Sequence, residues 1–152
     1  MAIKKYYVTV DDLGNSHWFK AAKCKVLHRD DGPAVEFASG HKEWHQNGQR
    51  HRIDGPAIEC TDGSKYWYQN GLLHRIDGPA IEQSDGTMMW YQNGLRHRTD
   101  GPAIERNNGT KAWHINGKVL TEAEFIAATQ PVVEMTVADV EKLLGKRVKI
   151  IK

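Results

Sequence analysis

The sequence predicts a mostly β fold: a single-layer antiparallel β-meander or solenoid of short repeats, finished by a small C-terminal helical cap and a final strand. Three observations carry this. The segment His-Arg-x-Asp-Gly-Pro-Ala begins at His28, His51, His74 and His97, a constant period of 23 residues. Eleven of the 23 positions are identical in all four copies; in the third they are His74, Arg75, Asp77, Gly78, Pro79, Ala80, Glu82, Gly86, Trp90, Asn93 and Gly94. Each copy also carries two Gly-containing turn signals between short β-type runs, and this grammar stops near residue 120.

Within the third copy, Pro79 to Gln83 reads as a first strand, Asp85-Gly86 as a hairpin turn, and Thr87 to Gln92 as a second strand. Asn93-Gly94 is a stronger hairpin signal, because both turn residues must take positive φ. Leu95 to Arg98 makes a third strand, and Asp100-Gly101-Pro102 turns into the next copy. Two-residue loops at both turns place Ile81 opposite Trp90, Glu82 opposite Met89, Trp90 opposite His97 and Met89 opposite Arg98. One face then carries an Ile81–Trp90–His97 core row. The other carries Ala80, Glu82, Met89, Tyr91 and Arg98. About fifteen strands follow, three per repeat, with a repeat advancing roughly 14 Å.

Residues 1–27 read as a degenerate N-terminal capping repeat, 28–119 as the four full repeats and 120–152 as the C-terminal cap, all in one structural domain. Trp18 lies ten residues before His28, whereas Trp44, Trp67 and Trp90 lie seven before theirs, so a longer loop replaces the Asn-Gly turn. Thr121 to Glu124 is a capping box opening a helix to about Thr129, ended by Pro131. Thr136 opens a second helix that stops at Gly145, with Val137, Val140, Leu143 and Leu144 on one face. Arg147 to Lys152 alternates like a strand.

Composition bounds the function classes. A net charge of +2, from 21 Lys and Arg against 19 Asp and Glu, is no polybasic signature, so long nucleic acid is not expected as partner. No apolar run suits a signal peptide or a membrane span, which gives a cytoplasmic expectation without a membrane partner. Cys24 and Cys60 have no disulfide-framework or metal-type spacing, and no cofactor motif is present. The serines Ser16, Ser39, Ser64 and Ser84 sit at turns without a base and orienter, so the chain reads as no enzyme.

The 23-residue period, the Trp-Tyr-Gln-Asn-Gly step at 67–71 and 90–94, and Leu-His-Arg-x-Asp-Gly-Pro-Ala at 27–34 and 73–80 resemble the MORN repeat family. The second motif is similar to the MORN-like repeats of small proteins from bacteria and tailed phages, and residues 135–145 resemble a C-terminal module of phage proteins. The chain lacks the dense Tyr-x-Gly pattern of the usual MORN unit. A phage setting, the host bacterial cytoplasm and a part in blunting host defence are what the resemblance implies.

The candidate binding residues are Arg52, Arg75 and Arg98 with His74, His97, Tyr68, Tyr91, Trp67 and Trp90. Guanidinium forks take phosphate in pairs, and aromatic rings stack bases, so this set suits a small anionic, nucleotide-like ligand. The same arginines can instead form ladders with Glu36, Glu59, Glu82 and Glu105 and with Asp31, Asp54, Asp77 and Asp100. Metal is not expected, because equivalent histidines lie too far apart to share an ion. Two functions stay open: sequestration of a nucleotide-like signal, and a protein-interaction module that inhibits a host protein through its sheet. An exposed apolar face and open edges point to a homo-oligomer.

Overall fold

The computed structural model describes residues 6–21, 24–130 and 136–145. The chain opens with β1 (Tyr7–Val10), β2 (Ser16–Ala21) and β3 (Cys24–Leu27). Four strands follow in each of three copies: β4 (Val35–Glu36), β5 (Lys42–Glu43), β6 (His45–Gln46) and β7 (Gln49–Arg50); β8 (Ile58–Glu59), β9 (Lys65–Tyr66), β10 (Tyr68–Gln69) and β11 (Leu72–Leu73); β12 (Ile81–Glu82), β13 (Met88–Met89), β14 (Tyr91–Gln92) and β15 (Leu95–Arg96). β16 (Ile104–Glu105), β17 (Lys111–Ile115) and β18 (Lys118–Leu120) complete the set. The helices are α1 (Glu122–Thr129) and α2 (Val137–Leu144).

One antiparallel sheet of twelve strands runs through the protein in the order β1-β2-β4-β5-β8-β9-β12-β13-β16-β17-β18, with β3 beside β2. Whereas the fourth full repeat keeps β16, β17 and β18 in the sheet, only two strands of each of the first three belong to it. The others form separate two-stranded hairpins, β6-β7, β10-β11 and β14-β15. The chain leaves the sheet at the tryptophan: the Trp90 amide donates to the Ala103 carbonyl at 2.8 Å, and β14 then turns back on β15. The expected 14 Å advance is therefore corrected to about 9.6 Å, two strands at about 4.8 Å each.

The two turns behave differently. Asn93 and Gly94 take φ of 50° and 79°, and Gln92 faces Leu95, so the two-residue loop and the Trp90–His97 pairing hold. At Asp85-Gly86 only Gly86 has positive φ, 88°, and Gln83 rather than Ser84 faces Thr87. The loop thus has three residues, a tight turn followed by a left-handed Gly. The Asp85 carboxylate accepts the Thr87 amide at 2.8 Å and sets it. One added residue slips the register by one and exchanges faces: Ile81 pairs with Met89 and Glu82 with Met88. Arg98 does not face Met89; its amide donates to the His114 carbonyl on β17.

The core is correspondingly thin and differs from the expected Ile–Trp–His row. Ala34, Ala57, Ala80 and Ala103 are 0% exposed, with Val35, Ile58, Ile81 and Ile104 buried beside them, while Trp44, Trp67, Trp90 and Trp113 are half-buried. Cross-strand pairing sets Val35, Glu43, Ile58, Tyr66, Ile81, Met89, Ile104 and Ala112 in one row. The opposite face carries Glu36, Lys42, Glu59, Lys65, Glu82, Met88, Glu105 and Lys111, alternating in sign except at Met88. Opposite charges across a ladder stabilise it.

Repeats are also stitched at both ends. The Ser84 amide donates to Ser64 Oγ at 3.0 Å, and the Asn107 amide to Thr87 Oγ1 at 3.4 Å. At the C-terminal end α1 packs on β17 and β18 through buried Phe125, behind the expected Thr121–Glu124 capping box. α2 has its own capping box from Thr136 and Asp139, and Gly145 ends it at φ 63°. Val137 and Leu144 on it are exposed. The expected break at Pro131 and the strand at 147–152 lie outside the described residues.

Two predictions follow from these rows. Met88, 41% exposed, lies between Glu82 and Glu105 where the ladder lacks a lysine. Met88→Lys is expected to stabilise by about 0.2–1 kcal/mol in urea unfolding, with the gain shrinking in molar salt. Glu43 stands in the apolar row, and hydrogen bonds from His45, then Arg50 and His41, outweigh its partial burial and hold its carboxyl down to about 2 from the ordinary 4.5. A depressed carboxylate stabilises the fold fully above about pH 4.5 and loses this as pH falls toward 2, roughly 3 kcal/mol across that window. Glu43→Gln is expected to remove this share of the acid sensitivity, read as stability against pH.

Candidate functional site

Each arginine of the repeated segment is held on all sides. Arg75 Nε donates to Asp77 Oδ1 at 3.0 Å, and Nη1 donates to the Pro79 carbonyl at 3.2 Å and to Glu82 Oε1 at 2.8 Å. Its guanidinium carbon lies 4.0 Å from the centroid of the Trp67 ring. Its other flat face meets Gly78, where an added Cβ would fall 2.9 Å from that carbon. Arg29, Arg52 and Arg98 repeat the arrangement with Trp18, Trp44 and Trp90 at 4.3, 4.0 and 3.9 Å. The ring thus comes from one strand run and the arginine eight residues later, after the hairpin. Trp18, eleven residues before Arg29, joins across β2 and β3, where Ala21 pairs with Cys24 and longer strands replace the expected longer loop.

Each histidine fixes the Asn-Gly turn later in its own copy. His74 Nδ1 accepts the Asn93 amide at 3.1 Å, as His28, His51 and His97 accept those of Asn47, Asn70 and Asn116. An accepting Nδ1 places the neutral ring's proton on Nε2. For His51, His74 and His97, Nε2 has no hydrogen-bond partner among the described residues, nor has Nη2 of Arg52, Arg75 or Arg98.

Successive His-Arg-x-Asp-Gly-Pro loops enclose a groove between them, once per repeat. The groove between the loops at 52 and 75 has a volume of about 590 Å³ and is lined by Arg52, Trp67, Gln69, His74 and Arg75, with Ile53, Ile76 and Asp77 at its rim. The next, of about 600 Å³, has Arg75, Trp90, Gln92, His97 and Arg98 in the same places. A third, of about 530 Å³, has Arg29, Trp44, Gln46, His51 and Arg52. Seven of the nine expected site residues, Arg52, Arg75, Arg98, His74, His97, Trp67 and Trp90, therefore come together in two adjoining grooves.

Tyr68 and Tyr91 do not join them. Each follows its tryptophan by one residue and points to the other side of its hairpin, where Arg96 Nε donates to Tyr91 Oη at 3.0 Å and Arg50 lies over the Tyr68 ring at 5.7 Å. The expected shared face of Tyr91 and Arg98 is corrected accordingly. Gln69 and Gln92 take the tyrosines' place; their two-residue offset from Trp67 and Trp90 was the available signal. Ile53 and Ile76, 80% and 79% exposed at the loop tips, share one repeat position but stand at the letter that varies, with Asp30 and Thr99 in the other copies.

The groove rims are acidic. Asp54, Asp77 and Asp100 side chains are 83%, 85% and 80% exposed. Hydrogen bonds from Arg52, Arg75 and Arg98 respectively hold their carboxyls below the ordinary value. Among the described residues no group of His, Cys, Asp and Glu is arranged to hold a metal ion.

The close approach of Gly78 to Arg75 is open to a double-mutant cycle. Gly78→Ala is expected to cost about 1–3 kcal/mol by overpacking. In an Arg75→Ala background the same change should be neutral or slightly stabilising, since the added methyl then meets open space and restricts the unfolded chain. Urea unfolding of the four proteins measures the coupling.

No family model, curated protein or solved structure matches this chain.

Proposed function

We propose that the chain is a non-catalytic β-repeat scaffold, of the MORN-like kind its sequence resembles, that holds an extended segment of a partner protein in its row of grooves. The observation that carries this is the row itself: three equivalent grooves in file, each built from the same Trp, Gln, His and Arg positions. A linear array of like sites suits a linear ligand, since each further groove engaged adds affinity through effective concentration. The resemblance to phage proteins makes a host protein the natural partner, with inhibition by occupancy as the consequence.

Sequestration of a nucleotide-like anion is the second reading, favoured by the donors left at His Nε2 and Arg Nη2. Three features weigh against it. The remaining arginine donors are committed within the repeat, one face of each tryptophan ring is covered by guanidinium, and exposed carboxylates line the rims. Those carboxylates repel phosphate at close range.

A panel of labelled random 12-residue peptides, read by fluorescence anisotropy, and a nucleotide panel, read by thermal shift, distinguish the readings. Peptide binders are expected, weakened at least fivefold by the exposed double substitution Ile53→Ser and Ile76→Ser, with melting unmoved by nucleotides. A nucleotide that raises the melting temperature by mass action, with no peptide bound, would overturn the scaffold reading.

A further inference from the structure

We infer that the grooves select a polyproline II segment carrying a basic side chain at every third residue. This rests on the peptide-scaffold reading and names the peptide's conformation and chemistry. The period is the first reason. Grooves recur with the repeat, about 9.6 Å apart along the sheet. A polyproline II chain turns once in three residues at about 3.1 Å each, about 9.3 Å per turn. Every third residue therefore meets an equivalent groove, with about 0.3 Å of drift per turn. An α-helix, with a pitch of about 5.4 Å, and a flat β-strand, with a two-residue repeat near 6.8 Å, do not keep step.

Hydrogen bonding points the same way. A polyproline II backbone makes no internal hydrogen bonds, and at prolines it offers carbonyls alone. Each groove supplies side-chain donors without partners among the described residues, Nε2 of the histidine and Nη2 of the arginine. A β-strand partner would instead need a free strand edge. Every main-sheet strand from β4 to β16 is paired on both sides, and neighbouring hairpins are bonded to one another, as the Arg75 amide to the Tyr91 carbonyl and the Gly94 amide to the Leu73 carbonyl.

The rims supply the rest of the selectivity. Ile53 and Ile76 stand exposed between successive grooves, apolar caps against which proline rings can pack. Asp54, Asp77 and Asp100 follow the same period, each with one carboxylate oxygen on its arginine and most of its side chain in solvent. A Lys or Arg at every third residue meets one carboxylate per turn. Nucleic acid meets the same carboxylates with phosphates, and one face of each tryptophan is already covered by guanidinium.

The probes are (Pro-Pro-Lys)n with n of 2, 3 and 4, (Gly-Gly-Lys)4 of matched charge, (Pro-Pro-Glu)4, and a neutral β-1,4-glucan oligosaccharide, titrated against the full chain by calorimetry. The Kd of (Pro-Pro-Lys)n is expected to fall at least threefold from n of 2 to n of 3, which fills the three grooves, and by less than that from 3 to 4. (Gly-Gly-Lys)4 should bind at least tenfold more weakly than (Pro-Pro-Lys)4, and (Pro-Pro-Glu)4 not measurably. Ile53→Ser with Ile76→Ser should weaken (Pro-Pro-Lys)4 at least fivefold with an unchanged circular dichroism spectrum. Equal binding of the glycine and proline peptides, or binders in the random panel with none here, overturns the polyproline II assignment and leaves the scaffold reading standing. No peptide bound in either set, or the glucan bound in their place, overturns both.

Discussion

The structure depends on where each repeat's arginine puts its guanidinium. The cation is enclosed by a tryptophan ring from before the hairpin, a glycine from the following turn, and oxygens of Pro79 and Glu82 in the case of Arg75. The contacts are not of equal weight. Asp77 is 85% exposed, and an ion pair so wet contributes little. The bonds to the carbonyl and to the less exposed Glu82, at about 1.5–3 kcal/mol for a charged donor, and the stack on tryptophan, at about 0.5–2 kcal/mol, dominate. That enclosure adds side-chain ties to three parts that backbone pairing already brings together through the Trp67 amide and the Ala80 carbonyl: the bend at tryptophan, the Asp-Gly-Pro turn and the strand that follows it. A core made of alanine and one β-branched residue per repeat is too thin to fix those parts alone.

Much of this was legible in the chain and some was not, for identifiable reasons. The period, the Asn-Gly hairpins and both capped helices follow from local chemistry, and local chemistry decided them. Asp-Gly is compatible with two loops. Which one forms depends on whether the Asp85 carboxylate takes the Thr87 amide, and a difference of one residue exchanges the faces. Carried through, that slip made Trp90 a core residue opposite Ile81. It actually lies half-buried beside Ala103 with Arg98 on its ring. The third strand forms at Leu95–Arg96, and only its Arg98 end departs, for a non-local reason. Arg98 leaves the β14-β15 hairpin to bond His114 on β17, a choice visible only once the hairpins are stacked.

The candidate site shows the same division. Arginine, histidine and tryptophan were found because they recur, and the structure brings them together. Recurrence gave no means of separating a role in stacking from a role in binding, and the geometry makes most of their polar atoms structural: Nδ1 of each histidine holds the next Asn-Gly turn, and Nε and Nη1 of each arginine close the clamp. What remains for a ligand is one donor from each, the glutamine between them, and the rim. Tyr68 and Tyr91 were drawn in by alternation along a strand that the bend at tryptophan interrupts.

Because the loops ride on paired strands, their spacing is set by backbone hydrogen bonding and cannot be altered by changing side chains. The clamp in turn fixes five of the six letters in His-Arg-x-Asp-Gly-Pro: histidine for the next turn, arginine for the cation, aspartate and glycine for its edge and face, proline for its carbonyl and for the turn. Only x lies outside, and it is the position that changes, as Asp30, Ile53, Ile76 and Thr99. Ile53 and Ile76 project almost wholly into solvent, so substitution there costs the fold little. A scaffold of this kind separates its two requirements in space. Period and donor geometry belong to residues that stability holds constant, while the chemistry that distinguishes one ligand from another sits at a tip that stability leaves free. The two isoleucines adjoin all three grooves, so the preference for apolar contact is concentrated in the middle of the row, where neighbouring grooves share a rim.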